Sequence, residues 1–223
     1  MKIALLSSVF GGHDTPKDVP TQEGFEYKTF FFNEDNSRPF PNLNDRLKSK
    51  YYKCQSHRVE ELKEYDLHCW VDGSVQITSP LFLKDMATRL LESGGDIVIG
   101  KHNQRECIYD ELDVIINSKD EYLTSRYANQ QLPLERAFYV EQGHPPKWGL
   151  WSCGIWMRHN GIKMNEAFDL WWDITTTYSY FDQAAFPYSM RKHRINIVQA
   201  PYIEKGDVFK NEYFNLVTHN KIA

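Results

Sequence analysis

The stretch Leu67-His68-Cys69-Trp70-Val71-Asp72-Gly73-Ser74 decides how the chain is read. The apolar run Leu67 to Val71 stops abruptly at an Asp-Gly turn, the pattern of a strand buried in a sheet with a carboxylate at its carboxyl end. In open α/β sheets, ligands bind just beyond that end. Downstream, Ser79-Pro80 predicts a helix start, and Phe82, Met86 and Leu90 keep one face apolar. Gly94-Gly95 closes the helix before a strand over Asp96 to Gly100. The unit is strand, helix, strand.

The same grammar extends in both directions. Lys2 to Val9 is a short apolar run without helical period that ends at Gly11-Gly12, which predicts a first buried strand entering a tight loop, and Glu26 to Phe32 predicts a second. Asn44 can cap a helix through Leu47, Tyr51 and Cys54, with Arg46, Lys48, Lys50 and Lys53 expected on its exposed side. Beyond the central unit, Ile108 to Ile116 and Glu121 to Gln142 read as helical, with a break at Pro133. Gly149 to Met157 returns to strand-like composition, Asn165 to Thr176 is helical, and Ile195 to Ala200 is a last strand. With no internal repeat and no linker, the expectation is one α/β domain over residues 1–223.

Composition narrows the function. The chain of 223 residues is 41% hydrophobic and 14% aromatic, enough for a sizeable core, and its formal charge of −4 lacks the excess that drives coating of phosphate polymers. No run reaches the roughly 18 apolar residues that cross a bilayer, and the first residues carry no small-residue cleavage site. Cys54, Cys69, Cys107 and Cys153 lie far apart, without the close pairs of a zinc knuckle, as suits a reducing compartment. A cytoplasmic protein is expected.

Phosphate loops, GxGxxG after the first strand, GxSxG and HExxH are all missing, which weakens kinase, dehydrogenase and hydrolase readings. The strand reading instead gathers Asp72, His102, Arg105 and Asp182 on one rim. Each has a plainer explanation beside the chemical one. Asp72 can be a turn former or can hold a cation or a ribose hydroxyl. The basic face from Arg46 to Lys53 can be a solvated surface or can meet a diphosphate. His102, His144, His159 and His219 can each be structural or a metal ligand. Trp148, Trp151, Trp156, Trp171 and Trp172 can be core or sugar platforms. Asp182-Gln183 can cap a helix or serve in acid–base chemistry.

Taken together, these residues resemble a known set. Val9-Phe10-Gly11-Gly12-His13-Asp14, Tyr51-Tyr52-Lys53, Trp70-Val71-Asp72-Gly73-Ser74, and His102 with Arg105-Glu106-Cys107-Ile108-Tyr109-Asp110-Glu111 follow in order. Gly143-His144-Pro145, Met157-Arg158-His159-Asn160, Leu170-Trp171-Trp172 and Asp182-Gln183 continue the series. The series resembles the glycosyltransferase-like family with plant mucilage and pollen-turgor members, from about Lys2 to about Ala200.

That resemblance implies a GT-A arrangement, a single domain with a twisted mixed β-sheet flanked by helices. It also implies glycosyl transfer from a nucleotide-diphosphate donor, a UDP-sugar above others, to an acceptor hydroxyl on a glycan. Phe10, Gly11 and Gly12 would approach the base, Lys53 the diphosphate and Asp72 the ribose or a metal. Gly73, Ser74, His102, Arg105 and Gln183 would complete the donor-binding set, with Asp182 or Glu111 orienting the sugar or taking the acceptor's proton. The usual Asp-x-Asp metal signature is reduced to Asp72-Gly73-Ser74. A divalent cation, Mn²⁺ or Mg²⁺, would therefore rest on Asp72 and His219, or else Lys53 and Arg105 would carry the leaving-group charge. Two alternatives stand beside this reading. One is a catalytically degenerate nucleotide- or glycan-binding protein. The other is a transferase acting on a modified nucleic-acid base through Arg191-Lys192-His193-Arg194, against which the net negative charge weighs.

Overall fold

A computed structural model describes residues 1–40, 42–204 and 211–217. The elements run β1 (Lys2–Ser8), β2 (Glu26–Phe32), α1 (Asp45–Cys54), β3 (Leu67–Val71), β4 (Val75–Ile77), α2 (Phe82–Ser93), β5 (Ile97–Lys101) and α3 (Ile108–Ile116). They continue with α4 (Glu121–Tyr127), α5 (Leu132–Glu141), β6 (Trp151–His159), α6 (Ile162–Thr177), α7 (Asp182–Lys192), β7 (Ile197–Gln199) and β8 (Phe214–Leu216). The main sheet has six strands in the order β2-β1-β3-β6-β5-β7, and β4 pairs with β8 in a small antiparallel ribbon. Every strand of the main sheet runs in one direction except β6. The expected α/β class, a mixed sheet flanked by helices, is what the chain forms.

Alternation along the strands fills both faces of the sheet. Ala4, Leu6, Trp70, Ile97, Ile99 and Trp156 enter the core beneath α1, α3, α6 and α7. Ile3, Leu5, Cys69, Val71, Val98 and Met157 enter the core beneath α2. Local signals act as their chemistry predicts: Asn44 Oδ1 accepts from the Leu47 amide at 2.9 Å, and Gly94 ends α2 in the left-handed region at φ 65°. Pro133 is a correction. It sits in the first turn of α5, where its missing amide costs nothing, so it begins a helix instead of breaking one, and the interruption falls just ahead of it. Among the described residues no helix is long and apolar enough to cross a membrane.

The topology makes a crevice. From β1 the chain pairs with β2 on one side and β3 on the other, so the segments leaving the carboxyl ends of β1 and β3 diverge at a switch point. Because β6 runs the other way, its amino end reaches the same edge: the Asp72 amide donates to Gly154 O at 2.8 Å and the His102 amide to Leu150 O at 2.9 Å. The register between β5 and β6 slips from Ile99↔Trp156 to Lys101↔Trp151, so β6 bulges there. The buried Tyr202 hydroxyl fills the gap, accepting from the Gly100 amide at 2.9 Å and donating to Ile155 O at 3.3 Å.

Candidate active site

The turn after β3 presents Asp72 into the crevice. Its carboxyl Oδ1 accepts from the Trp70 indole Nε1 at 2.7 Å and from Lys53 Nζ at 3.1 Å, and its side chain keeps 38% exposure. Two glycines give the carboxylate room. A Cβ on Gly154 would lie 3.2 Å from Asp72 Oδ2, and one on Gly73 would lie 2.6 Å from Val9 Cγ2. The Asp-Gly pair is a turn, as its plainer reading expects, since the Val75 amide donates to Asp72 O at 2.9 Å. That turn also aims the carboxylate at a lysine.

The basic face of α1 is where the structure departs most from expectation. Lys53 is 2% exposed and Lys50 is turned inward, so the expected exposed side of the helix is half buried at the crevice. Both lysines meet Asp182 at the start of α7, with Lys50 Nζ 2.6 Å from Oδ1 and Lys53 Nζ 2.8 Å from Oδ2. Positions 50 and 53 are one helical turn apart, which lets two ammonium groups bracket one carboxylate. Burial opposes ionisation of Asp182, but Lys50 and Lys53 outweigh it and hold its carboxyl well below the usual range. Burial likewise works against the Lys53 ammonium, and Asp182 and Asp72 together more than reverse it. Lys50 is different: burial and the neighbouring Lys53 charge keep its pKa below the ordinary lysine value despite Asp182. Its charge is the least compensated of the cluster, so a further anion in the crevice would stabilise it.

A second polar group lies alongside. Glu111, buried on α3, is held by the Arg105 guanidinium at Oε2 and by Gln183 Nε2 at 2.9 Å on Oε1. His102 Nδ1 accepts from the Arg105 amide at 3.0 Å, and burial lowers the ring's pKa, which leaves the imidazole neutral at neutral pH. Cavities of about 230, 170 and 340 Å³ meet at Asp72. Ser74, His102 and Gln183 face the first, Phe10, Gly73 and Ser74 the second, and Lys50, Lys53, Arg105, Glu111 and Asp182 the third.

Asp72, Gly73, Ser74, Lys53, His102, Arg105, Glu111, Asp182 and Gln183 are therefore brought together. Phe10 is at the edge of the site but its ring is buried, parallel to Tyr52 with centroids 6.0 Å apart. Gly11 takes φ 68° beside it, where a Cβ would lie 2.7 Å from Asp45 Oδ2, and Gly12 takes φ 66°. His219 lies outside the described residues. His144 is buried against Arg191 and Tyr109, and His159 ends β6 opposite Leu67, at the start of β3 and away from the crevice, so neither reaches it. Trp156 and Trp171 are core, while Trp148 and Trp151 line a groove of about 670 Å³ together with His102.

The partner of one residue, and the whole of another, escape sequence reasoning. Lys50 has a partner in Asp182 that is remote in sequence and leaves no local mark. Arg126 of α4 faces two of the cavities, and its buried Nε has no hydrogen-bond partner. Neither motif nor period points to it.

Of the two expected metal ligands, Asp72 is described and His219 is not. Asp72 already shares Oδ1 with an ammonium and an indole N–H, and among the described residues no three His, Cys, Asp or Glu side chains converge as ligands. What they do form is a pre-arranged set of cations and carboxylates at a switch-point crevice, suited to an anionic ligand bearing hydroxyl groups. No protein-family description matches the chain, and no curated protein matches it.

Proposed function

We propose that this protein is a glycosyltransferase of GT-A type that moves a sugar from a nucleotide-diphosphate donor, a UDP-sugar above others, to an acceptor hydroxyl. The observation that carries the reading is the bracket of Lys50 and Lys53 on Asp182, set against Asp72 where β1 and β3 diverge. Glycosyl transfer breaks the bond between the anomeric carbon and the diphosphate, so stabilising that departing charge is the main task of the protein. Lys50 and Lys53 are suited to that purpose, and Arg126 lines the same cavities with a third positive charge. Asp182 holds the two ammonium groups in place before the donor arrives.

The acceptor hydroxyl forms the new bond and loses a proton to a carboxylate. Asp182, with its pKa pressed down by two lysines, is a poor base. Asp72 is more open and faces three cavities, which favours it for that role or for gripping the donor's hydroxyls. Glu111, fixed between Arg105 and Gln183, orients the sugar. Lys50, Lys53 and Arg126 carry the leaving-group charge.

Release of UDP from a panel of UDP-sugars, with water or glycans as acceptors, tests the assignment. The Asp72→Asn variant is expected to lose about a hundredfold in turnover while folding normally. Equal turnover in the variant and the native protein would reject the role of Asp72. Binding of UDP without hydrolysis or transfer would favour a binding protein over an enzyme.

A further inference from the structure

Glu135 is fully buried on α5, outside the crevice, and among the described residues it pairs with no cation. Its Oε1 accepts from the Tyr139 hydroxyl at 2.7 Å and its Oε2 accepts from the Ser179 hydroxyl. Ser179 Oγ in turn accepts from the Phe181 amide at 3.3 Å, and Phe181 is the residue before Asp182. The strap formed by residues 178–181, between α6 and α7, is tied down at two more points: the Gln131 amide donates to Tyr178 O at 2.9 Å, and the Tyr180 amide donates to Gln130 Oε1 at 3.0 Å. The Tyr180 hydroxyl donates to the backbone carbonyl of Arg126, so one strap connects both sides of the crevice.

A serine hydroxyl has a single proton to give. An ionised Glu135 takes it, leaving the Ser179 oxygen free to accept from the Phe181 amide. A protonated Glu135 with its hydrogen on Oε2 would donate to Ser179 Oγ instead, so the charge-assisted bond becomes a weaker neutral one and the serine's own hydrogen must turn away from the carboxyl. We propose that Glu135 is a positioning residue for the Lys50–Lys53–Asp182 cluster, holding the strap before Asp182 through Ser179 when ionised and loosening it when protonated.

Burial raises the Glu135 pKa to about 7 against the pull of the two hydroxyl bonds, and the Asp182 charge adds to the rise, so its proton exchanges near neutrality. The titratable neighbours are Tyr139 on its own helix, Asp182 on α7 and, around the Tyr139 ring, Tyr188 of α7, Tyr178 of the strap and His144. Burial keeps His144 neutral there, with a pKa of about 4. From α3, Asp113 is engaged by Arg136 on the exposed side of α5. The effect on the cluster holds whatever the ligand; only its consequence for turnover rests on the proposed glycosyl transfer.

The test is a carbon NMR titration of the full chain with labelled aspartate carboxyls, Asp182 being assigned by the signal lost in Asp182→Asn. The Asp182 signal is expected to step near pH 7, far above its own ionisation. Glu135→Gln and Ser179→Ala are expected to lose that step. Tyr139→Phe, which removes one donor to the carboxylate and keeps the Ser179 link, is expected to move it to higher pH. A native signal flat through neutrality, or an undiminished step in Ser179→Ala, overturns the proposal, and so does a step that Tyr139→Phe leaves in place or lowers. UDP-sugar hydrolysis followed across the same range separates the two claims. An NMR step without any hydrolysis removes the glycosyl-transfer reading and keeps the positioning role, and hydrolysis without the step does the reverse.

Discussion

Lys53 concentrates the logic of the site in one side chain. It sits in the last turn of α1, where a cation is favoured by the helix dipole, and it touches Asp72 and Asp182 at once. Removing it leaves a buried carboxylate short of a partner, so Lys53→Ala is expected to lower stability by about 3 kcal/mol in chemical denaturation. Asp182 carries a pH signature of its own. Its folded pKa lies below the unfolded value, so its contribution is fully present at neutral pH and is lost as pH falls through the acid range. Thermal melts should therefore show the native protein losing its advantage over Asp182→Asn on acidification, and a constant gap would contradict the ion cluster. Asp72 was legible because an apolar run ends on it. The burial of Lys50 and Lys53 was not, since the spacing that places them on one face says nothing about what that face meets.

At the scale of elements, β6 shapes the crevice. It runs against its neighbours and slips register with β5, and Tyr202 stitches the resulting gap by serving an amide on one strand and a carbonyl on the other. Tyr202→Phe leaves both backbone groups buried without that partner, and a loss of about 1–2 kcal/mol in unfolding free energy is expected. The strands β1, β2 and β3 could be read from composition because each is a short β-favouring run with a turn at its end. The direction of β6 and its bulge could not, because a strand has the same local pattern whichever way it pairs. Helix starts were readable at Asn44, whose side chain makes the cap, and at Asp182, where α7 begins, although there Phe181 occupies the cap position without a side-chain bond and Asp182 turns to the lysines instead.

Over the whole molecule, topology does what no single motif does. The strand order sends segments apart at the ends of β1 and β3, the antiparallel β6 brings Gly154 beside Asp72, and α7 delivers Asp182 to the lysines of α1. The most direct measurement is a crystal structure with UDP bound. The diphosphate is expected against Lys50 and Lys53, with Arg126 beside it and the ribose or the sugar side towards Asp72. A diphosphate seated away from these lysines, with the Lys50–Asp182–Lys53 bracket untouched, would contradict the account.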